Sequence, residues 1–500
     1  MSTQSYRSPR IFAEWPALRL IALFLFATGG VVVAAPLIQV GDYRSALVVV
    51  TLSLSAGVIV YTPVSIQSVL VFWFATTPLL SYYLRFPIDR SILTYDRVIF
   101  ISIVVALLLR RREKAPGQPY RFALSRSEIA WALLALMAGA SAVTRADNVP
   151  YATRLAVDTF LLPLVAFHVA RNYFDLPHAG RSFLLASIPV ALFLFISGAI
   201  ELATGDNLFA INAAQIIREG ERRVNGPFAT DSSFAVICLM LFTFLLAAPR
   251  MFRVCLDRVA RLIYSISLIA AALGALLPLF RMVAIALALC GIFLIWSTSA
   301  TGRARKRSFV VGVVAAVMLL AVGGVVATLA SSATRNRLIS PRTAFGRLAT
   351  WEAAAEITIE NPIVGVGLGN YPAYFDASHY YSDQAPEEVG DTKAVDSPHS
   401  TPLWISSELG LVGLALFLAA HVYLLMNGWR AMKNAADRFQ QATAACFLAL
   451  LAAYWIPGLT LTSGYYSDAN LCFFFLAGVL SSGFVRPLPN HRSTVSDFTD

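Results

Sequence analysis

Fourteen stretches of this chain run for about 13–25 residues with almost no charge inside them, and nothing else in the sequence constrains the fold so tightly. Crossing a hydrocarbon core about 30 Å thick takes about 20 apolar helical residues. A chain in lipid must also satisfy its backbone internally, which leaves helices or closed barrels. The stretches are roughly 17–38, 45–61, 65–84, 97–109, 127–143, 154–172, 182–203, 232–248, 262–279, 281–297, 309–328, 402–426, 440–458 and 468–485. They are too long for barrel strands, so the reading is all-α: a polytopic transmembrane helix bundle of about 14 spans (12–14). Composition agrees. Charged residues make up 14% and hydrophobic residues 57%, whereas a soluble domain carries about 25% charge.

Orientation follows from Lys and Arg in the short loops. With the N-terminus inside, the inner segments carry 22 basic residues, including Arg110, Arg111, Arg112, Arg250, Arg258, Arg303, Arg430 and Lys433, and the short outer loops carry 7. That bias predicts N-in and C-in, and it absorbs the net charge of +10 without nucleic acid. The expected organisation is N-terminal spans over 1–203, central spans with a first outer arginine loop over 204–328, a long periplasmic loop over 329–401 containing short helices, C-terminal spans over 402–485, and a cytoplasmic tail over 486–500. Inner loops are too short for a nucleotide-binding domain, so chemistry is expected on the outer face. Five cysteines (Cys238, Cys255, Cys290, Cys446, Cys472) form no CxxC pair, which points to neither a metal site nor a disulfide framework.

The outer loops hold the candidate chemistry. Arg347-Leu-Ala-Thr-Trp through Glu360 reads as an amphipathic helix. Leu348, Trp351, Ala355 and Ile359 form its apolar face, lying on the membrane surface or against the bundle. Asn361-Pro362 ends it. Gly365-Val-Gly367-Leu-Gly369-Asn370-Tyr371 lacks both the Gly-Lys-Ser/Thr of a phosphate loop and the third glycine of a dinucleotide fingerprint, so a tight turn is expected. His399, after Asp396-Ser-Pro, stands at the mouth of the next span. A histidine there either caps the helix start or moves a proton, with Asp396 placed to orient it. Arg222 and Arg223 precede Asn225-Gly-Pro-Phe228, and Arg281 opens a span after Pro278-Leu-Phe. Each arginine alone suits snorkelling to head groups. Together they suit a phosphate-bearing ligand, which guanidinium groups bind bidentately.

Arg347-Leu-Ala-Thr-Trp351, Asn361-Pro-Ile-Val-Gly365-Val-Gly367-Leu-Gly369-Asn370-Tyr371, His399-Ser and Glu408-Leu-Gly410-Leu-Val-Gly413 resemble the signature of the bacterial O-antigen ligase and O-antigen polymerase superfamily. Arg223 with Gly226-Pro-Phe228, and Arg281 opening a span, resemble its two other arginine positions. The resemblance implies a multi-pass inner-membrane enzyme with its active face in the periplasm. It implies a metal-independent, cofactor-free, inverting glycosyltransferase whose donor is an oligosaccharide on undecaprenyl pyrophosphate. By that analogy Arg223 and Arg281 bind the pyrophosphate and His399 is the general base. Arg347, Asp396, Glu408 and Arg222 are supporting candidates. About 14 spans favours polymerisation of O-antigen or exopolysaccharide repeat units. Ligation of finished glycan to lipid A-core or another acceptor is the alternative, and a polysaccharide transporter or flippase is the alternative of another class. Expected partners are the lipid-linked donor, the glycan acceptor and the bilayer, with a chain-length regulator and a flippase alongside.

Overall fold

The computed structural model describes residues 37, 42–61, 64–81, 83–86, 92–110, 124–205, 207, 224–228, 230–252, 257–297, 342–377, 397–462 and 467–485. Contacts divide the chain into two compact units, Met1–Ala123 and Leu124–Asp500, a division inside the region that the sequence treats as one run of spans. Twelve of the fourteen apolar stretches are helices; 17–38, apart from residue 37, and 309–328 lie outside the described residues.

In the first unit, α1 (Tyr43–Tyr61) and α2 (Ile66–Leu80) are followed by a two-stranded antiparallel ladder and then α3 (Tyr95–Arg110). The ladder pairs β1 (Arg85–Phe86) with β2 (Leu93–Thr94), a small departure from the all-α expectation. Asp96, buried at the start of α3, accepts from the Trp73 indole at 2.7 Å and the Ser81 hydroxyl at 3.0 Å. An acid in an apolar helix is thereby neutralised by donors rather than left bare.

The second unit contains α4 (Arg126–Thr144), α5 (Val149–Tyr173), α6 (Leu176–Thr204), α7 (Asp231–Phe252), α8 (Arg258–Leu276) and α9 (Arg281–Ser297). It continues with α10 (Arg342–Glu360), α11 (Tyr371–Ala377), α12 (Thr401–Lys433), α13 (Arg438–Gly458) and α14 (Ser467–Val485). Among the described residues, nine helices of the chain are long and apolar enough to cross a membrane. The helices α7, α13 and α14 are the most enclosed of these, with α4, α5, α6, α8 and α12 around them. Close approach rests on small residues, as it must where lipid supplies no hydrophobic drive between helices. A Cβ at Gly478 of α14 would sit 2.6 Å from the Phe167 carbonyl of α5.

Several polar groups inside the bundle are satisfied in place. A capping box closes the start of α4, where Ser125 and Glu128 exchange hydrogen bonds. The same Glu128 carboxylate meets His168 at 2.8 Å and pairs with Arg171. A π-helical turn at Val157–Leu161 interrupts α5. Two of its carbonyls are taken by the Trp131 indole on Phe160 and the Asn470 amide on Thr159. His421 is buried among Trp131, Phe417, Tyr454 and Trp455, and its Nδ1 lies 2.9 Å from the Phe417 carbonyl.

The helix expected over 347–360 is present as α10, and of the two placements expected for its apolar face the structure does not show packing against the bundle. Thr350, Ala353, Ala354, Ile357 and Thr358 are buried, and Ala353, Ala354 and Ile357 form a core with Val366, Tyr371 and Phe375. Leu348, Ala355 and Ile359 are exposed instead. Small side chains let α10 lie close to α12, so the alanine and threonine stripe wins the contact over the bulkier one.

Candidate functional site

The span that begins at Thr401 is not one helix. At Gly410 the backbone takes φ 67°, ψ −173°, a combination essentially restricted to glycine. The break frees backbone groups on both sides, and the glycine-rich turn after α10 satisfies them. Val366 and Gly367 donate to the carbonyls of Ser407 and Glu408, each at 3.0 Å. In return, Leu411 and Val412 donate to the carbonyls of Pro362 and Ile363 at 2.7 and 3.3 Å. The two strands of chain touch so closely that a Cβ at Gly365 would fall 2.4 Å from the Glu408 carbonyl carbon, and one at Gly410 would fall 2.3 Å from the Ile363 oxygen. The expected tight turn is therefore present, and it is the part that fills the break.

Glu408 anchors this joint. Its side chain is fully buried and accepts from the backbone N–H of Gly369 at 2.8 Å and of Tyr371 at 3.2 Å. The turn is also tied to α4: Leu368 N–H donates to the Ser141 hydroxyl, and the Asn370 amide donates to the Arg145 carbonyl. Tyr371 donates its hydroxyl to the Thr350 carbonyl at 3.0 Å. Burial pushes the Tyr371 phenol well above its ordinary value, and the Glu408 charge adds to the rise, so the hydroxyl stays a donor. Glu408 thus holds backbone in place, a role the sequence did not distinguish from contact with a ligand.

His399 sits in a turn pinned by three hydrogen bonds, one to α10 and two to the segment after α13. Its φ is +51°, uncommon for any residue other than glycine. Ser397, Pro398 and Ser400 around it are buried, while His399 itself is half-buried. Thr350 of α10 donates to the Pro398 carbonyl at 3.3 Å, Thr462 donates to the Ser397 hydroxyl at 3.0 Å, and Thr401 donates to the Leu461 carbonyl at 3.0 Å. Ser400 occupies the N-cap position of α12, so His399 is not the cap. Thr350 also bonds the Arg347 carbonyl at 2.9 Å. Half-buried Arg347 therefore stands one helical turn from the residue that holds the His399 turn. Asp396 lies outside the described residues.

The arginine segments meet at another edge of the same unit. The Glu201 carboxylate, near the end of α6, accepts from the N–H of Asn225 at 3.0 Å and of Gly226 at 2.7 Å. Asn207 donates to the Gly226 carbonyl. A Cβ at Gly198 would lie 2.9 Å from Leu277 and 3.1 Å from Val224. The segment following Arg223 and the turn preceding Arg281 therefore converge on one point of α6. Arg222 and Arg223 themselves lie outside the described residues. Arg281 is exposed at the first position of α9, after Leu279 at φ +60°.

The register of α9 against α13 relates this edge to His399. Cys290 bonds the Ala449 carbonyl, and Gln441 bonds the Ser297 carbonyl. Continued up the antiparallel pair, that register sets Arg281 opposite Gly458. The residues just beyond Gly458 are Leu461 and Thr462, the partners of Thr401 and Ser397. Arg281 and the His399 turn thus flank the same end of α13. Thr350, Thr462 and Glu201 went unnoticed in the sequence as positioning residues. Only Thr350, inside the Arg347-to-Trp351 motif, carried a local signal.

Among curated proteins, none matches the chain. Residues 266–418 match the family model described as O-antigen ligase. That stretch takes in Arg281, Arg347, the glycine turn, His399, Glu408 and Gly410, and it starts after Arg223. The match supports the resemblance of this part of the chain to the O-antigen ligase and polymerase superfamily.

Proposed function

We propose that the chain is an inner-membrane glycosyltransferase that moves glycan from undecaprenyl pyrophosphate on the periplasmic face, polymerising O-antigen or exopolysaccharide repeat units. The observation that carries the reading is that the α9–α13 register and the hydrogen bonds of the His399 turn put Arg281 and His399 beside the same end of α13. In the reaction, an acceptor hydroxyl attacks the anomeric carbon of the donor and His399 takes its proton. The bond from that carbon to the pyrophosphate oxygen breaks on the opposite face, so configuration inverts. The electron pair leaves with the lipid pyrophosphate, whose added charge Arg281 and Arg223 offset. Arg347 and Glu408 support the site, Glu408 through the backbone it holds.

The family description favours a second reading, ligation of finished glycan to lipid A-core or another acceptor. The lipid-linked glycan profile of a strain lacking the protein separates the two. Single repeat units stranded on the carrier mean a polymerase, and long chains stranded there mean a ligase. Complementation with His399→Ala is expected to leave either defect in place, with about a 100-fold or larger loss of turnover in vitro. Full restoration by His399→Ala refutes the assignment of the base and favours a transporter.

A further inference from the structure

The outward face of α10 is amphipathic, with Glu352 beside Leu348 and Ala355, and its C-terminal end turns apolar where it meets the exposed apolar side of a spanning helix. Ile359 is 78% exposed and Ile363, in the turn that follows, is 67% exposed. Leu348 and Val364 are exposed as well. Leu348, Ala355 and Ile359 share one side of the helix, opposite the packed alanine and threonine stripe. The hydrogen bonds from Leu411 and Val412 to Pro362 and Ile363 set this turn against the first residues beyond the break in α12. Leu411 and Val412 are exposed too, and the same side of α12 continues outward through Leu418, Val422 and Leu425.

Length fixes the depth. From Leu411 to Lys433 there are 23 residues, about 34 Å of helix, which matches a hydrocarbon core about 30 Å thick. With Arg430 and Lys433 at one boundary, Leu411 and Val412 lie at the other. The turn hydrogen-bonded to them lies there as well. We propose that the C-terminal end of α10 and the turn after it dip into the leaflet on their own side of the membrane. Ile359, Ile363 and Val364 insert among the acyl chains to a depth of about 5–10 Å. Exposed Glu352, two turns before Ile359 on the same side, limits the insertion to the C-terminal end of the helix. The occupant is lipid because the patch is continuous with a surface that already faces lipid. The inference does not depend on which glycan is transferred.

The test uses the full chain in nanodiscs of phosphatidylethanolamine and phosphatidylglycerol. Cysteine replaces Ile363 or, separately, Val364, in a Cys255→Ser background. The other four cysteines are buried. A nitrobenzoxadiazole label at each position is challenged with nitroxide-bearing lipid and with aqueous iodide. Val422→Cys, exposed midway along α12, and Ala436→Cys, in the turn before α13, are the references. Quenching by nitroxide lipid equal to that at position 422, with iodide ineffective, is the expected result. Quenching by iodide as at position 436 overturns the proposal. Protection from both quenchers also overturns it, because protein then covers the face.

Discussion

Two chemically identical substitutions in this chain should have opposite effects. Gly410→Ala puts a Cβ 2.3 Å from the Ile363 oxygen and 2.4 Å from its carbon, both backbone atoms that cannot rotate away. It also asks alanine to adopt φ 67°, ψ −173°, at about 1–3 kcal/mol of strain. The turn must then shift, and the four backbone hydrogen bonds across the break weaken at about 1 kcal/mol each. A loss of about 3 kcal/mol or more follows. Gly139→Ala, inside α4, meets nothing within 4 Å. There alanine is the better helix former by about 0.5–1 kcal/mol. Thermal unfolding of the purified protein in detergent, followed by tryptophan fluorescence, compares them. Gly410→Ala should lower Tm by about 3 °C or more, and Gly139→Ala should leave it unchanged or raise it. A Gly410→Ala protein that melts with the wild type would refute the close approach on which the joint is argued.

Other positions follow the same logic. Glu408→Gln keeps the shape but turns a donor toward one of two backbone N–H groups, and should cost about 2 kcal/mol by the same melting assay. Arg281→Lys keeps the charge and loses the two-pronged guanidinium contact. In a transfer assay it should raise KM for the lipid-linked donor with Tm unchanged, whereas an equal effect on Tm would make the residue structural. Thr350→Val removes the hydrogen bond to Pro398 at about 1 kcal/mol of stability. Because that bond holds the His399 turn, kcat should fall further than the melting shift alone accounts for.

The helices were legible in the sequence because lipid forces the issue. A window such as 232–248 has no other way to satisfy its backbone, and α7 is found over it. What the sequence hid was relation. Leu409-Gly-Leu-Val-Gly413 reads as uninterrupted span, and nothing local says that the helix breaks at Gly410. The partner supplying the missing hydrogen bonds lies more than forty residues earlier. Which of its two expected placements the apolar face of α10 takes was hidden for a related reason. Hydrophobicity ranks Leu348 and Ile359 above Ala353 and Ala354, while close helix packing ranks them the other way. His399 and Arg281 stood out as residue types at span mouths. Their common neighbourhood needed the α9–α13 register, which no spacing within either segment encodes.

The broken helix has a consequence for the depth of the chemistry. Thirty-three unbroken residues from Thr401 to Lys433 would make a rod of about 50 Å, which overshoots the hydrocarbon core by about 20 Å. His399, two residues before that rod, would then stand well clear of any lipid head group. The break removes the obligation to continue along one axis. The first segment instead lies against its neighbours, with Trp404 stacked on Phe160 of α5 at 5.9 Å and Thr401 bonded to Leu461. That packing keeps the His399 turn level with the end of α13, where Arg281 also lies. On the proposed mechanism, His399 as base and Arg281 as pyrophosphate ligand need that common level, since proximity governs the rate of transfer. On that mechanism, substitutions at Glu408, Gly365 or Gly410 are expected to lower turnover without removing a substrate contact, by changing the height at which His399 is held.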